Sequence, residues 1–341
     1  EIVVLTKDSV TLLNSEGQEI KRQPEVVNWK WEEATKQGHD YFMIKEIEEV
    51  PQAVRYALLQ DKEQVMEMAL AILRAKQVVI TACGTSRYAG LIGRYLFSKL
   101  AGKFCDVVMA SEFQYFSESI DKNTVVIAIS QSGETADVME GIKRAKEQGA
   151  TIFSIVNVVG SSLARMSDKV LYLNCGPEIC VAATKSFVGQ LAILYMLSYA
   201  MVNKLESGIE EVRAIAQQIE TNFHENGLKL EELAQQLKNK NDFYYIARGI
   251  NFAIASEGAL KVKELAYIHA EGMPAGELKH GTLALIEEGT PVVVICPKDY
   301  TYEETLVNAA ETKARGAFNI GISDENNPLF DVWIRIPSVE D

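Results

Sequence analysis

The run Thr124-Val125-Val126-Ile127-Ala128-Ile129 carries β-branched residues on both faces of one strand-sized segment. Such a strand needs apolar cover on two sides, which points to the centre of a parallel sheet packed between helices. It stops in Ser130-Gln131-Ser132-Gly133-Glu134-Thr135, after which Val138, Ile142 and Ala145 recur at helical spacing as far as Gly149. The strand thus delivers Ser130, Gln131, Ser132 and Thr135 to a helix start, where free backbone N–H groups and the helix dipole favour an anion. No lysine stands in the loop and no GxxxxGK[ST] pattern occurs, which excludes a nucleotide P-loop and favours a small phosphorylated metabolite. The same residue types also serve as plain helix caps, so the loop alone leaves both readings open.

Around that strand the pattern alternates. Strands are predicted at 78–83, 106–110, 124–130, 151–156 and 170–174, and helices at 86–100, 134–147 and from about 184. This is the signature of an α/β, doubly wound parallel sheet, assigned to a first unit at 41–205. A second unit, 206–341, begins with a helical stretch over 206–240 striped by Ile209, Val212, Ile215, Ile219, Leu230, Leu233 and Leu237. Strands follow at 243–247, 291–296, 318–323 and 331–336, with helices at 251–268 and 302–314. The two units echo each other in Val78-Val79-Ile80-Thr81-Ala82-Cys83-Gly84 and Tyr244-Tyr245-Ile246-Ala247-Arg248-Gly249, each a strand ending in glycine before a helix. A duplicated fold is expected. Residues 1–40, with short alternating segments, a turn-like Asn14-Ser15-Glu16-Gly17 and a polar stretch from Lys21 to Pro24, are too few for a core and read as the edge of another domain plus a linker.

A formal net charge of −13 over 341 residues argues against a general nucleic-acid binder or an anionic-membrane binder, so any phosphate site has to be built locally. Apolar stretches such as 78–82 and 291–296 are strand-sized and too short to span a bilayer. Cys83, Cys105, Cys175, Cys180 and Cys296 are scattered and form no CxxC pair, which suits a reducing cytosol. His39, His224, His269 and His280 neither cluster nor stand at metal spacing to a cysteine, so no metal is expected. Cys83, directly before Gly84-Thr85-Ser86, reads either as a small buried strand residue or as a reactive thiol.

Open α/β sheets place ligands at strand ends, and two more candidates lie there. Gly84-Thr85-Ser86 offers a turn and two hydroxyls at a helix start, and Val181-Ala182-Ala183-Thr184-Lys185 offers backbone and a hydroxyl at another. Convergence of three such ends favours a phosphosugar pocket. In the second unit Glu257, Lys261 and Glu264 stand at i, i+4 and i+7 and share a helical face. They read either as a solvated face of Glu–Lys pairs or as acid–base chemistry, because the helix leads into the loop Gly276-Glu277-Leu278-Lys279-His280-Gly281. An imidazole in such a loop exchanges a proton near neutral pH. A carboxylate and an imidazole with different tasks suit sugar ring opening followed by proton transfer between adjacent carbons.

The stretches SQSGETAD at 130–137, CGTS at 83–86, VAATK at 181–185, EGALKVKE at 257–264 and AGELKHG at 275–281 resemble the isomerase part of the glutamine–fructose-6-phosphate aminotransferase (glucosamine-6-phosphate synthase) family. The resemblance covers nearly the whole chain. It implies two tandem sugar isomerase (SIS) domains, each a three-layer parallel sheet flanked by helices. Residues 1–40 are similar to that family's junction, where a glutaminase domain ends and a linker begins, a preface that simpler SIS isomerases and deglycases lack. By the resemblance, Thr85, Ser86, Ser130, Gln131, Ser132 and Thr135 bind fructose 6-phosphate at and around its phosphate, and Val181 and Ala183 meet sugar hydroxyls. Ala183 replaces a serine often found there, at the expense of one hydrogen bond. Glu264 is implied as the base between C1 and C2, with Glu257 and Lys261 fixing its orientation and charge. His280 is implied as the ring-opening group, reaching a neighbouring subunit's pocket and so requiring a homodimer. Thr282 stands where a proline is usual. No cofactor is implied.

The resemblance further implies a fragment of a larger enzyme. The cysteine glutaminase would precede Glu1, and a tail bearing a Schiff-base lysine would follow about where Asp341 ends. Lys261 and Lys279 are poor substitutes for that amine, since a lysine beside carboxylates stays protonated. The expected parent enzyme converts fructose 6-phosphate and ammonia from glutamine to glucosamine 6-phosphate. Two other readings stay open: a self-contained SIS phosphosugar isomerase or deglycase, and a non-catalytic sugar-phosphate sensor, which the absence of a recognisable DNA-binding segment disfavours.

Overall fold

Strands that are apolar on both faces demand helices on both faces, and a computed structural model, which describes residues 1–23, 26 and 29–338, supplies that arrangement twice. Pro24 and Asp341 lie outside the described residues, as does the side chain of His224.

Glu1–Lys30 is a compact unit by itself. Strands β1 (Ile2–Leu5), β2 (Val10–Leu13) and β3 (Glu19–Ile20) pair antiparallel in that order. The Asn14 side chain shapes the β2–β3 turn by accepting the Glu16 and Gln18 amides, each at 2.9 Å. All four residues of β1 are exposed, and among the described residues no position of this small sheet is buried.

Trp31–Asp341 forms the second unit. Helices α1 (Phe42–Glu48), α2 (Val50–Ala57) and α3 (Lys62–Arg74) lead into β4 (Gln77–Ala82), α4 (Gly84–Ala101), β5 (Asp106–Met109) and α5 (Ala110–Phe113). Then come β6 (Thr124–Ser130), α6 (Ala136–Glu147), β7 (Thr151–Val156), α7 (Ser162–Met166), β8 (Lys169–Tyr172) and α8 (Lys185–Met201). The strands pair all-parallel in the order β5-β4-β6-β7-β8. Every residue of β6 is buried. Val125, Ile127 and Ile129 face a core shared with α3, α4 and α8, whereas Val126 and Ala128 face one shared with α5, α6 and α7. Each fully buried Ile or Val contributes about 1.5–3 kcal/mol, so this strand anchors both layers.

After α9 (Leu205–Leu237) the pattern repeats: β9 (Asp242–Ala247), α10 (Asn251–Ala266), β10 (His269–Pro274), β11 (Pro291–Ile295), α11 (Tyr302–Ala314), β12 (Phe318–Ser323) and β13 (Val332–Arg335). The order β10-β9-β11-β12-β13, again all parallel, matches the first sheet strand for strand. The expected duplication of a helix-flanked parallel sheet is therefore present. Two local expectations change. The helix expected over 251–268 ends at Ala266, because Tyr267 turns into the left-handed region at φ +56°. The next residues form β10, an edge strand the pattern did not predict. Helix α9 belongs to both cores: Leu205, Ile209, Val212 and Ala216 join the first, Leu237 and Leu233 the second.

Among the described residues no helix is long and apolar enough to cross a membrane, and no group of three or more His, Cys, Asp and Glu side chains is placed to hold a metal ion.

Candidate active site

In this strand order the first strand of each sheet sends its connection to one side and the third to the other, which opens a crevice at the carboxyl ends of β4 and β6. Ala82 of β4 pairs with Ile129 of β6, so Gly84-Thr85-Ser86 and the 130–135 loop emerge side by side. Gly84 (φ +50°) and Gly133 (φ +65°) make the two sharp exits.

The hydroxyls of the 130–135 loop build the loop itself. Ser130 Oγ accepts the Gly133 amide at 3.1 Å and lies 2.9 Å from Thr135 Oγ1, while Ser132 Oγ accepts the Glu134 amide at 3.2 Å. Glu134 Oε1 in turn accepts the Ser162 amide at 2.7 Å, and Asn157 N donates to Gln131 O at 2.9 Å. Neither Thr135 nor Cys83, the residues that precede α6 and α4, caps its helix through its side chain. Neither helix start is closed by the side chain that precedes it, so a small anion has two helix starts to meet. Ser86, buried, accepts from Gln190 Nε2 at 3.0 Å.

The third strand end differs. Glu178 Oε1 accepts the Thr184 amide at 2.9 Å and the Ser186 amide at 3.1 Å, and Ser186 Oγ donates to Glu178 Oε2 at 2.5 Å. The start of α8 thus already holds a carboxylate. This corrects the expectation that 181–185 adds a third phosphate-binding helix start. Val181 and Ala183 remain at the rim, Val181 being 98 % exposed.

Helix α10 brings the second half onto this edge. Lys261 Nζ donates to Thr85 Oγ1 at 3.0 Å and to Ala183 O at 3.5 Å, and it pairs with Glu257 Oε1 at 3.3 Å and Glu264 Oε2 at 2.6 Å. Thr85 Oγ1 donates to Glu257 Oε1 at 3.1 Å. The Glu–Lys face is not solvated: the side chains of Glu257 and Lys261 are 9 % and 18 % exposed, and only Glu264, at 34 %, reaches outward. Thr85, expected as a substrate ligand, has its hydroxyl engaged as the bridge between the halves. No spacing rule signals that bridge, because its partners lie more than 170 residues away. His280, itself exposed, ends a short 3-10 helix (Ala275–His280) whose Ala275 and Leu278 are buried and which packs against α11, where the neighbouring Lys279 pairs with Glu311 at 2.7 Å. Among the described residues no hydrogen bond or ion pair joins His280 to Glu257, Lys261 or Glu264. Burial pushes the Cys83 thiol up from its ordinary value, which favours the structural reading of that residue.

Burial pushes the Glu257 carboxyl up to about 7, against the pull of Lys261 and the Thr85 hydroxyl, and its Oε2 is buried with no partner. Since the folded value lies above the unfolded 4.5, the native state holds a proton there that the unfolded chain has released. That contribution to stability is complete below the unfolded value and is lost as pH rises through the folded one. Glu257→Gln, neutral throughout, is expected to exceed the parent by about 3 kcal/mol at about pH 8 and to lose that advantage near pH 4. Urea unfolding at both pH values reads this, and an unchanged difference would remove Glu257 as the titrating group.

The SIS domain family matches residues 71–200 and 236–339 of the chain. Glutamine–fructose-6-phosphate aminotransferase (isomerizing) of Thermococcus kodakarensis is 43 % identical over 354 residues, covering 100 % of this chain and 58 % of that protein. The protein of the same name from Methanosarcina acetivorans is 39 % identical over 362 residues, with the same shares. The chain thus spans 58 % of the length of these curated relatives. The solved C-terminal domain of glucosamine-fructose-6-phosphate aminotransferase from Francisella tularensis shares the fold with a TM-score of 0.81 at 33 % identity, covering 89 % of this chain and 90 % of that one. With the family matched over more than half its length and that solved domain covered almost entirely, the chain belongs to the SIS domain family, in the group of the C-terminal domain of glucosamine-fructose-6-phosphate aminotransferase.

Proposed function

We propose that this chain is the sugar-handling part of a cytoplasmic enzyme that makes glucosamine 6-phosphate from fructose 6-phosphate and glutamine-derived ammonia. The observation that carries the reading is the contact of Lys261 with Thr85 and Ala183, which sets two carboxylates against a strand edge whose helix starts suit a phosphate. The phosphate would lie on the 130–135 loop and Ser86, with Val181 and Ala183 toward the sugar hydroxyls. Glu264, the outward carboxylate, moves the proton between C1 and C2. The Lys261 ammonium pairs with Glu264 and orients it, while buried Glu257 fixes Lys261 from behind. His280, exposed and apart from this trio, would open the sugar ring in the site of a second copy, in a homodimer. The first SIS domain would span 41–205 and the second 206–341. Residues 1–40 would close a glutaminase domain of the same parent chain and link it to them.

Calorimetric titration tests this. Fructose 6-phosphate is expected to bind and unphosphorylated fructose not, and Ser132→Ala is expected to weaken the phosphosugar by about tenfold or more, the worth of a hydrogen bond to a charged group. Equal binding of the two sugars, or an indifferent Ser132→Ala, would overturn the cradle.

A further inference from the structure

The loop 174–184 carries Val181 and Ala183 yet contains no regular element, and buried side chains fix its backbone. Asn157, at the end of β7 and 1 % exposed, donates through Nδ2 to Gly176 O at 2.7 Å and accepts the Cys175 amide at 3.2 Å. Glu178 ties the far end to α8. The middle is held by Glu46 of α1, a fully buried carboxylate whose Oε1 accepts the Ile179 amide at 2.7 Å and the Cys180 amide at 3.1 Å.

Helix α1 supplies none of the strand-end motifs, and Glu46 lies outside the Glu257–Lys261–Glu264 trio and the 130–135 loop. Taking a carboxylate out of water is unfavourable, and burial pushes the Glu46 carboxyl up while the two amides and Lys185 pull it down. Beside it, Lys45 and Lys185, each 2 % exposed, pair with the two oxygens of Glu49 at 3.1 and 2.6 Å. A charged joint between α1 and the start of α8 therefore lies directly behind the loop. Because the Val181 side chain is almost wholly exposed, its surroundings do not fix it. Its place follows from the backbone on either side, the two amides held by Glu46 before it and fully buried Ala182 after it.

We propose that Glu46 is a positioning residue for the sugar half of the site: its hydrogen bonds to the Ile179 and Cys180 amides set where Val181 and the Ala183 carbonyl stand relative to Lys261. This rests on the sugar-phosphate reading above. The test compares the parent chain, Glu46→Ala and Glu46→Gln, the last keeping an acceptor oxygen and the side-chain size. Two readouts are used: amide hydrogen exchange without ligand, and titration with fructose 6-phosphate and with inorganic phosphate. Glu46→Ala is expected to speed exchange over 177–184 by about tenfold, the worth of a hydrogen bond to a charged group, and to leave 130–136 unchanged. It should weaken fructose 6-phosphate about tenfold while inorganic phosphate stays within about twofold. Glu46→Gln should restore both readouts to within about threefold of the parent. Unchanged loop exchange in Glu46→Ala, an equal loss for both ligands, or no rescue by glutamine would each overturn the positioning role. If the parent takes up neither ligand, the sugar-phosphate reading itself falls, and the proposal with it.

Discussion

Lys261→Met is expected to lower native stability by about 3–5 kcal/mol at neutral pH, the usual effect of stripping one partner from a buried ion pair. Methionine fills the volume of the lysine stem, so the loss reports charge and hydrogen bonds. Thr85 loses its donor, Glu264 its 2.6 Å partner, and Glu257 the only cation it touches among the described residues. Glu257 can answer by keeping its proton, so the loss should shrink toward acid pH. In the double variant with Glu257→Gln most of the loss should return, because a neutral amide needs no cation. Urea denaturation of the four members of this cycle measures the coupling. A loss under about 1 kcal/mol, the value of an exposed pair, would mean that the trio is solvated.

Gly133→Ala is the second large effect. At φ +65° a Cβ would stand 2.1 Å from Ser161 Oγ and 2.5 Å from Ser161 Cβ. Ser161 cannot step aside cheaply: it is 2 % exposed, and the adjoining backbone is fixed by the Leu163 amide donating to Gly133 O at 3.0 Å. The left-handed conformation alone costs an L-residue about 1–2 kcal/mol. Loop displacement is expected to weaken fructose 6-phosphate by at least about tenfold, the worth of one or more hydrogen bonds to a charged group. Adding Ser161→Gly removes the collision and should recover part of the affinity, leaving the conformational cost. Undiminished binding by Gly133→Ala would show that this turn is not the frame of the cradle.

How far the sequence spoke for itself varied with the kind of signal. Strands such as β6, β7 and β12 were legible to the residue, because apolar runs bounded by turn residues admit few alternatives. Strand β10 was not: His269, Glu271, Gly272 and Pro274 look nothing like a strand, and they are tolerated only because β10 sits at a sheet edge. Gly272 is there because Ser256 of α10 presses on the strand, its Cα 2.4 Å from where a Cβ would lie. In the site, motif spacing marked Glu257, Lys261 and Glu264 as one face, but spacing alone could not say whether that face meets water or another half of the molecule. Burial decided it, and burial is a tertiary fact. The same holds for Glu178 at the start of α8 and for Thr85 as a bridge. Their partners are set by which strand ends converge, information spread over the whole topology.

Helix α9 has a consequence for the order in which the molecule is made. At 33 residues it is a rod of about 50 Å, and synthesis delivers its first half while the first sheet is already complete. Leu205, Ile209, Val212 and Ala216 can seal that core at once. Leu233 and Leu237 wait for strands that emerge later, and the amides of Asn222 and Asn226 wait for Arg335, whose carbonyl each meets at 3.0 Å. On the ribosome the rod is therefore a half-finished wall: one end is mortared into a folded domain, and the other offers the nascent second sheet an apolar strip on which to assemble.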